Sequence, residues 1–394
     1  LRNLYGVDIM VEATEIAKLR LFLKMVAVVD ADSRAPNLGL DPLPDIDFNI
    51  RCGNTLVGYA TQAELERGIV FSDLFTAQEF RNKVTEEMEK VARAYDVFKT
   101  IQLRQADDMA TFAGAKGELK ARLAALDELL NRQMYGAVES TTDYDAWLRS
   151  HQPFHWLAEF YEIINDRGGF DVIIGNPPYV EYNKKVNGVA VSDSYKLNGY
   201  KTLSCGNLYA YVLERSKEIM QKDVYISMIV PLSGHSTERM APLVTNFYEK
   251  FGLHLHLNLS ADANPQKLFE GVKFRLVIFI ATNNGTGRYS TKYTRWLADE
   301  RKYLFNAIVR YNSIEDYSYQ NIIPKIASPL FISIAKKINA DKIQYFIDRG
   351  NQKCLYHNAP VNWIRSHSFI PYFCSERDGV GVTTQLKFIA FERD

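Results

Sequence analysis

The chain is poor in several things that would have decided its class early. It has only 4 cysteines in 394 residues. Cys52, Cys205, Cys354 and Cys374 stand far apart with no C-x-x-C pair, which argues against a zinc knuckle or a disulfide framework and for free thiols in a reducing cytoplasm. No apolar run has the length needed to span a bilayer, and the first residues lack the pattern of a signal peptide, so no membrane partner is expected. With 22 glycines and 13 prolines the chain is neither collagen-like nor of low complexity. It has no excess charge, 47 basic against 47 acidic side chains, so contact with a polyanion would require a local basic face. No internal repeat is evident. What is present is an ordinary globular composition, 47% hydrophobic and 24% charged, in a length that suits two domains or one domain with insertions.

Period and punctuation predict an α/β order. Residues 3–8 form a short strand ending in Asp8, and a helix over 12–29 follows with Ile16, Leu19, Leu23 and Val26 at helical spacing. Pro36, Gly39, Pro42 and Pro44 mark a loop before a second strand at 46–51, which ends at Cys52-Gly53-Asn54. Over 76–135 the apolar residues recur every three or four positions, first Phe80, Val84, Met88, Val91, Tyr95 and Phe98, then Leu119, Leu123, Leu126 and Leu130 after a break expected at Gly114 and Gly117. This predicts a helical hairpin inserted in an α/β domain. Strands resume at 170–174 (FDVII), 224–230, 253–259 and 274–281, with helices over 206–221 and 237–251 between them. The expectation is a doubly wound α/β sheet with an antiparallel hairpin at its end. The core is placed at 1–282, with a helical insertion at 61–165, and residues 283–394 are read as a linker and the start of a further region.

The sharpest feature is Asn176-Pro177-Pro178-Tyr179, directly after the strand FDVIIG. Two prolines cannot continue a ladder, and they stiffen the turn. In an open α/β sheet the ligand crevice lies beyond the carboxyl ends of the strands. The turn would therefore present an amide side chain, a carbonyl and an aromatic ring to that crevice. A planar amino group can donate one proton to the Asn176 side-chain oxygen and one to the Pro177 carbonyl. Both held out of the ring plane would localise the nitrogen lone pair, while Tyr179 stacks on the ring.

DVIIGNPPY resembles motif IV of the S-adenosylmethionine-dependent methyltransferases that act on amino groups. Other phrases follow in the same order: LYGVDI resembles motif II, FNIRCGNTL motif III, GNLYAYVLERS and YISMIVPLSG motifs V and VI, and LFEGVKFRLVIFI motif VIII. Together, over roughly residues 1–282, they are similar to the γ-arranged adenine-specific (N6) DNA methyltransferases of large restriction–modification and phage-defence enzymes. That resemblance implies a class I, Rossmann-like methyltransferase fold, S-adenosylmethionine as cofactor, and a target-recognition region beginning in 283–394. It implies Asn176, Pro177, Pro178 and Tyr179 as catalytic residues, Asp8 on the cofactor ribose, Ile9 against its adenine, Asn54 in place of the family's Asp beside the adenine, and Tyr179 with Phe269 on the target base. The partner implied is double-stranded DNA with its adenine flipped out of the stack, since the amino group cannot be reached inside a duplex. Further domains or subunits of a restriction or defence complex are implied as well. The family's motif I, a Gly-rich turn after a first strand, has no counterpart before Asp8, so this strand and turn are expected upstream of residue 1.

Other residues were weighed as sites. Arg288, Lys292 and Arg295, interleaved with Tyr289, Tyr293 and Trp296, are the best candidates for the DNA backbone, against the plainer reading of a solvated face. Lys184, Lys185, Lys196 and Lys201 lie where a loop could close over the substrate strand. The histidines show no metal-ligand spacing. Asp107 and Asp108 with Glu118-Leu119-Lys120 loosely match a nuclease pattern, but on predicted helices, so the chain is not expected to cut DNA. Two alternatives stay open: methyl transfer to a protein glutamine or an RNA guanine, and a cofactor-free fragment that binds DNA or a partner.

Overall fold

The computed structural model describes residues 3–30, 32–34, 44–69, 74–103, 109–138, 142–260, 268–269, 274–315, 321–326, 328–340, 352–357, 366–367, 374–375, 379–380 and 386–391. They fall into two compact units, Leu1–Ala327 and Ser328–Asp394.

In the first unit the elements run β1 (Gly6–Asp8), α1 (Val11–Val26), β2 (Ile50–Cys52), α2 (Gln62–Gly68), α3 (Leu74–Leu103), α4 (Met109–Gly136), α5 (Tyr144–His151), α6 (Trp156–Glu159), β3 (Phe170–Gly175), α7 (Val191–Ser194), α8 (Leu208–Glu218), β4 (Met220–Pro231), α9 (Ser233–Ser236), α10 (Ala241–Asn246), β5 (Leu253–Leu259), β6 (Leu276–Thr282), β7 (Gly287–Thr291) and β8 (Tyr311–Ser313). Strands β1 and β2 pair in parallel as a sheet of their own, and six strands form a mixed sheet in the order β3-β4-β6-β5-β7-β8. Strand β6 is antiparallel to both β4 and β5, while β3 and β4, and β5 and β7, are parallel pairs. The carboxyl ends of β3, β4, β5 and β7 and the amino end of β6 therefore share one edge. The second unit holds α11 (Pro329–Ala340), the antiparallel sheet β10-β9-β13 of Ser366–His367, Gln352–His357 and Leu386–Phe391, and the pair β11 (Cys374–Ser375) and β12 (Gly379–Val380). No helix of the described residues is long and apolar enough to cross a membrane.

The α/β class agrees with the sequence; several details do not. The β5–β6 hairpin is not at the end of the sheet, because β7 and β8 continue it past residue 282. Their short polar runs carry too little hydrophobic pattern to be seen as strands. The expected break at Gly114 and Gly117 is absent: both lie inside α4, where an added Cβ would meet nothing within 4 Å, and the α3–α4 connection falls at 104–108, outside the described residues together with Asp107 and Asp108. The helix expected over 237–251 is broken into short turns around α10, whose first turn carries Pro242.

The helical hairpin is not a free arm. Val84, Met88, Val91 and Phe98 of α3 and Leu119, Leu123, Leu126 and Leu130 of α4 are buried in one cluster with Phe48, Tyr59, Phe154 and Phe160. Each such side chain stabilises the fold by roughly 1.5–3 kcal/mol, so the hairpin seam is continuous with the core under β1 and β2. Helix α1 behaves oppositely. Ile16, Leu19, Leu23 and Val26, expected to face a core, are 57%, 57%, 56% and 48% exposed, and Val172 and Ile174 of β3 are 59% and 77% exposed.

A buried guanidinium holds the layers in place. Arg215 of α8 pairs through both terminal nitrogens with Glu64, donates to Glu218 at 2.9 Å and to the Tyr200 hydroxyl at 3.0 Å, and lies over the Tyr200 ring. Tyr200 in turn donates to the Leu56 carbonyl at 2.8 Å. The chain after β2 is thereby tied to α8. Removing one partner of a buried ion pair costs about 3–5 kcal/mol. Arg215→Ala should therefore lower the urea unfolding free energy by about that much, and an unchanged midpoint would show the clamp to be idle.

Four imidazoles are buried at 2% exposure or less: His155, His235, His254 and His256. His155 accepts from the Tyr59 N–H through Nδ1 at 3.1 Å, and its Nε2 lies 3.0 Å from the Asn131 side-chain oxygen, which suits the neutral ring only. His254 Nδ1 and His256 Nε2 are 3.0 Å apart, and the His235 ring centre lies 4.7 Å from that of His256. Burial, helped by neighbouring positive charge, pushes His155 and His235 down to about 3 and His254 to about 4, with His256 also well below the usual range. The unfolded chain titrates these rings near pH 6.5, so it binds protons that the fold refuses. Stability should be complete above about pH 6.5 and fall towards pH 4 by on the order of 1.4 kcal/mol per pH unit for each ring. Urea unfolding at pH 7.5 and 5.0 measures this, and replacing His254 and His256 by Phe should flatten the dependence.

Candidate active site

Strand β3 delivers the diproline turn to the shared edge of the six-stranded sheet. Pro177 is buried, Asn176 and Pro178 are exposed, and Tyr179 is half-buried. The Tyr179 hydroxyl lies 2.6 Å from Asn176 Oδ1 and 3.0 Å from the Ile229 carbonyl, so its one proton bridges the turn to β4. Burial pushes this hydroxyl up to about 12, and it remains a donor across the physiological range. The Asn176 oxygen keeps a second lone pair for another donor. The chain beyond is pinned to the start of α8: the Leu208 N–H donates to the Val180 carbonyl at 2.9 Å and the Tyr182 N–H to the Gly206 carbonyl at 3.0 Å. Gly206 turns there with φ +66°, a left-handed conformation that favours glycine. The Tyr179 ring meets Phe274 edge-on, centres 6.1 Å apart at 84°. Phe274 lies just before β6, whose Leu276 pairs with Pro231 at the end of β4.

Strands β1 and β3 start side by side, with Tyr5 and Phe170 ring centres 6.0 Å apart, yet they belong to separate sheets. Asp8 ends β1 exposed; one carboxylate oxygen accepts the Met10 N–H at 2.8 Å and the other is open to a hydroxyl donor. Ile9 beside it is 44% exposed and offers an apolar face. Asn54, after β2, is 3% exposed; its Oδ1 accepts the Leu56 N–H at 3.2 Å, and its side-chain amide also meets the Tyr195 hydroxyl. An acid at a strand's carboxyl end with an apolar neighbour fits the ribose and adenine of a nucleoside cofactor. Among the described residues, no Gly-rich turn stands at this edge for the cofactor's amino-acid half.

The remaining sequence candidates scatter. Phe269 is described and partly exposed, but most of its chain neighbours, 261–267 and 270–273, lie outside the described residues. Lys292 and Arg295 follow the carboxyl end of β7 at the shared edge, whereas Arg288 sits near the start of β7, in register with His254. Trp296 is buried with Leu257, Leu259 and Leu304 as core. Lys184, Lys185, Lys196 and Lys201 are exposed, with Lys196 donating to the Ser192 carbonyl. Glu118 and Lys120 lie on α4. The aromatic that touches Tyr179 was missed. Phe269 and Phe274 stand five residues apart in LFEGVKF, and only the register of β6 brings the second to the turn. Among the described residues no group of three His, Cys, Asp or Glu side chains is placed to hold a metal ion.

A Methanocaldococcus jannaschii protein, provisionally named a type II restriction enzyme and methyltransferase, is 28% identical over 302 residues, which cover 66% of this chain and 24% of that protein. The chain thus spans about a quarter of this relative's length. Among solved structures, the DrdV–DNA complex aligns at a TM-score of 0.33 with 12% identity, over 51% of this chain and 24% of that one. The type ISP restriction-modification enzyme LlaBIII bound to DNA aligns at 0.33 with 13% identity, over 59% and 18%. These scores are too low to add weight, and the assignment rests on the family profile of the Eco57I restriction-modification methylase, which matches residues 2–269. The chain belongs to the Eco57I restriction-modification methylase family.

Proposed function

We propose that the chain transfers the methyl group of S-adenosylmethionine to the exocyclic amino group of an adenine in DNA, within a restriction–modification or defence system. The observation that carries this reading is the bridged turn: an Asn176 oxygen oriented by the Tyr179 hydroxyl at 2.6 Å, on a diproline bend at the end of β3, beside the edge-on pair Tyr179–Phe274. Bound at Asp8, Ile9 and Asn54, S-adenosylmethionine supplies a methyl group on a positively charged sulfur. The chain's own residues do the rest. Asn176 Oδ1 and the Pro177 carbonyl each accept one amino proton, which turns the nitrogen lone pair out of the base plane. Tyr179 and Phe274, or Phe269, hold the extrahelical ring. So held, the amino nitrogen would take the methyl group by direct displacement, its bond to carbon forming as the carbon–sulfur bond breaks; the sulfur would leave as a neutral thioether and one amino proton would pass to solvent, with no covalent enzyme intermediate, so the protein's contribution is positioning.

The test is methyl transfer from labelled S-adenosylmethionine to genomic DNA by the chain in its longest natural polypeptide. Asn176→Ala should reduce the rate at least ~100-fold, as expected for loss of an orienting contact, and nuclease digestion should yield N6-methyladenine. Phe274→Ala should cost more than Phe269→Ala. Label that survives nuclease treatment but is released by protease would place the methyl on protein glutamine and end the DNA reading.

The edges of β1 and β3 left unpaired among the described residues support a second element of this proposal. Their neighbouring starts, the exposed Val172 and Ile174, and the uncovered stripe of α1 suit one further apolar strand between them, with a Gly-rich turn at its carboxyl end and a helix against α1. Calorimetry should find S-adenosylmethionine binding to the 394-residue chain weak, and at least tenfold tighter once such a strand and turn are supplied. Equal affinity in both forms would remove the strand from the site.

A further inference from the structure

Two cations at the shared sheet edge lack acidic partners. Arg275 stands between Phe274 and the first residue of β6. Its carbonyl accepts the Leu232 N–H at 2.8 Å, which fixes it beside the end of β4, and its guanidinium carbon lies 5.3 Å from the Tyr293 ring centre. Lys325 comes from a distant part of the sequence. It is anchored on either side, by the Ile323 N–H on the His235 carbonyl at 2.8 Å and the Ile326 N–H on the Thr291 carbonyl at 3.1 Å, with both isoleucines 5% exposed. Both cations are exposed, and among the described residues neither forms an ion pair.

We propose that Arg275 and Lys325 together clamp one phosphodiester group of the DNA strand that carries the target adenine, with Tyr293 holding the Arg275 guanidinium in place. The assignment rests on the adenine-DNA reading above and adds residues to it. The backbone bonds hold Arg275 against Leu232 and the Lys325 segment against His235, three residues further on past the end of β4, and so bring an arginine fork and a lysine point charge to the same stretch of the edge, a pair suited to one anion. In keeping with this, partial burial and then the Arg275 charge hold the Lys325 ammonium below the usual lysine range. A phosphate relieves both effects. Its place is one residue from Phe274, so the backbone would be gripped where the base leaves the stack, and contacts to phosphate fix register without reading sequence.

The test is the salt dependence of duplex binding by the full chain, followed by fluorescence anisotropy. Each phosphate contact contributes about 0.9 to the slope of log affinity against log salt. Arg275→Gln and Lys325→Gln should each weaken binding about three- to tenfold at fixed salt and flatten the slope, and Arg275→Lys should restore most of the slope. Lys222→Gln, at the amino end of β4 on the opposite edge, should leave it unchanged. Normal duplex binding with unaltered slopes in both Gln variants would overturn the clamp and leave the methyltransferase reading standing. Absence of any salt-dependent duplex binding by the unaltered chain would overturn both. Loss of inorganic phosphate binding without change in DNA affinity would assign the site to a free anion and overturn the clamp.

Discussion

The candidate site depends on one buried guanidinium. The loop that carries Asn54 and the turn that carries Asn176 follow different strands in different sheets, and among the described residues no strand hydrogen bonds join those sheets. Beside the shared apolar core, Arg215 fixes them to each other: it binds Glu64 and the Gly58 carbonyl on the Asn54 side while sitting in α8, where Leu208 holds Val180 and Gly206, just before the helix, holds Tyr182. A charge this deep is costly to bury, and the surrounding acids, the Tyr200 hydroxyl and the Tyr200 ring satisfy it almost completely. Gly58, at φ +122°, brings the loop so close to Phe154 that a Cβ would collide with its carbonyl, so the clamp and the core close on the same short segment.

How much of this could be read from the sequence depends on the kind of information. The hairpin seam was legible because its ten apolar and aromatic positions repeat at helical spacing; eight are buried, and Phe80 and Tyr95 pack against them partly buried. The NPPY turn was legible because two prolines after an apolar strand leave the chain few options. The α1 stripe was equally plain as a pattern, and yet its residues are exposed: amphipathicity says that a face wants cover, and cannot say what covers it. Phe274 and Arg275 were not legible at all. They reach the site through the antiparallel register of β6 against β4, and register is a long-range property that a single run of residues does not carry. Arg215 was hidden for a related reason. Its partners lie 151 residues away in sequence at Glu64 and 3 away at Glu218, and only the first contact gives it a role between layers.

The buried histidines belong to the core. His254 and His256 share one face of β5, and His235 reaches them from α9, so three imidazoles meet. Their setting is apolar, between Tyr248 and Phe279, and it keeps the rings neutral. They act as polar packing beneath the sheet edge. The Ile323 N–H rests on the backbone of His235, so this packing also sets the height at which Lys325 emerges.

The turn itself carries the final constraint. An amide that must accept from a substrate should not be free to rotate, and the Tyr179 hydroxyl removes that freedom by holding Asn176 Oδ1 from behind while leaning on the Ile229 carbonyl. The same ring is then turned edge-on to Phe274. One tyrosine thereby couples the orientation of the acceptor to the wall against which a planar ring would lie, so a base displaced from that wall would also find the acceptor misdirected. In the proposed reaction, selectivity for a correctly seated amino group would follow from this coupling.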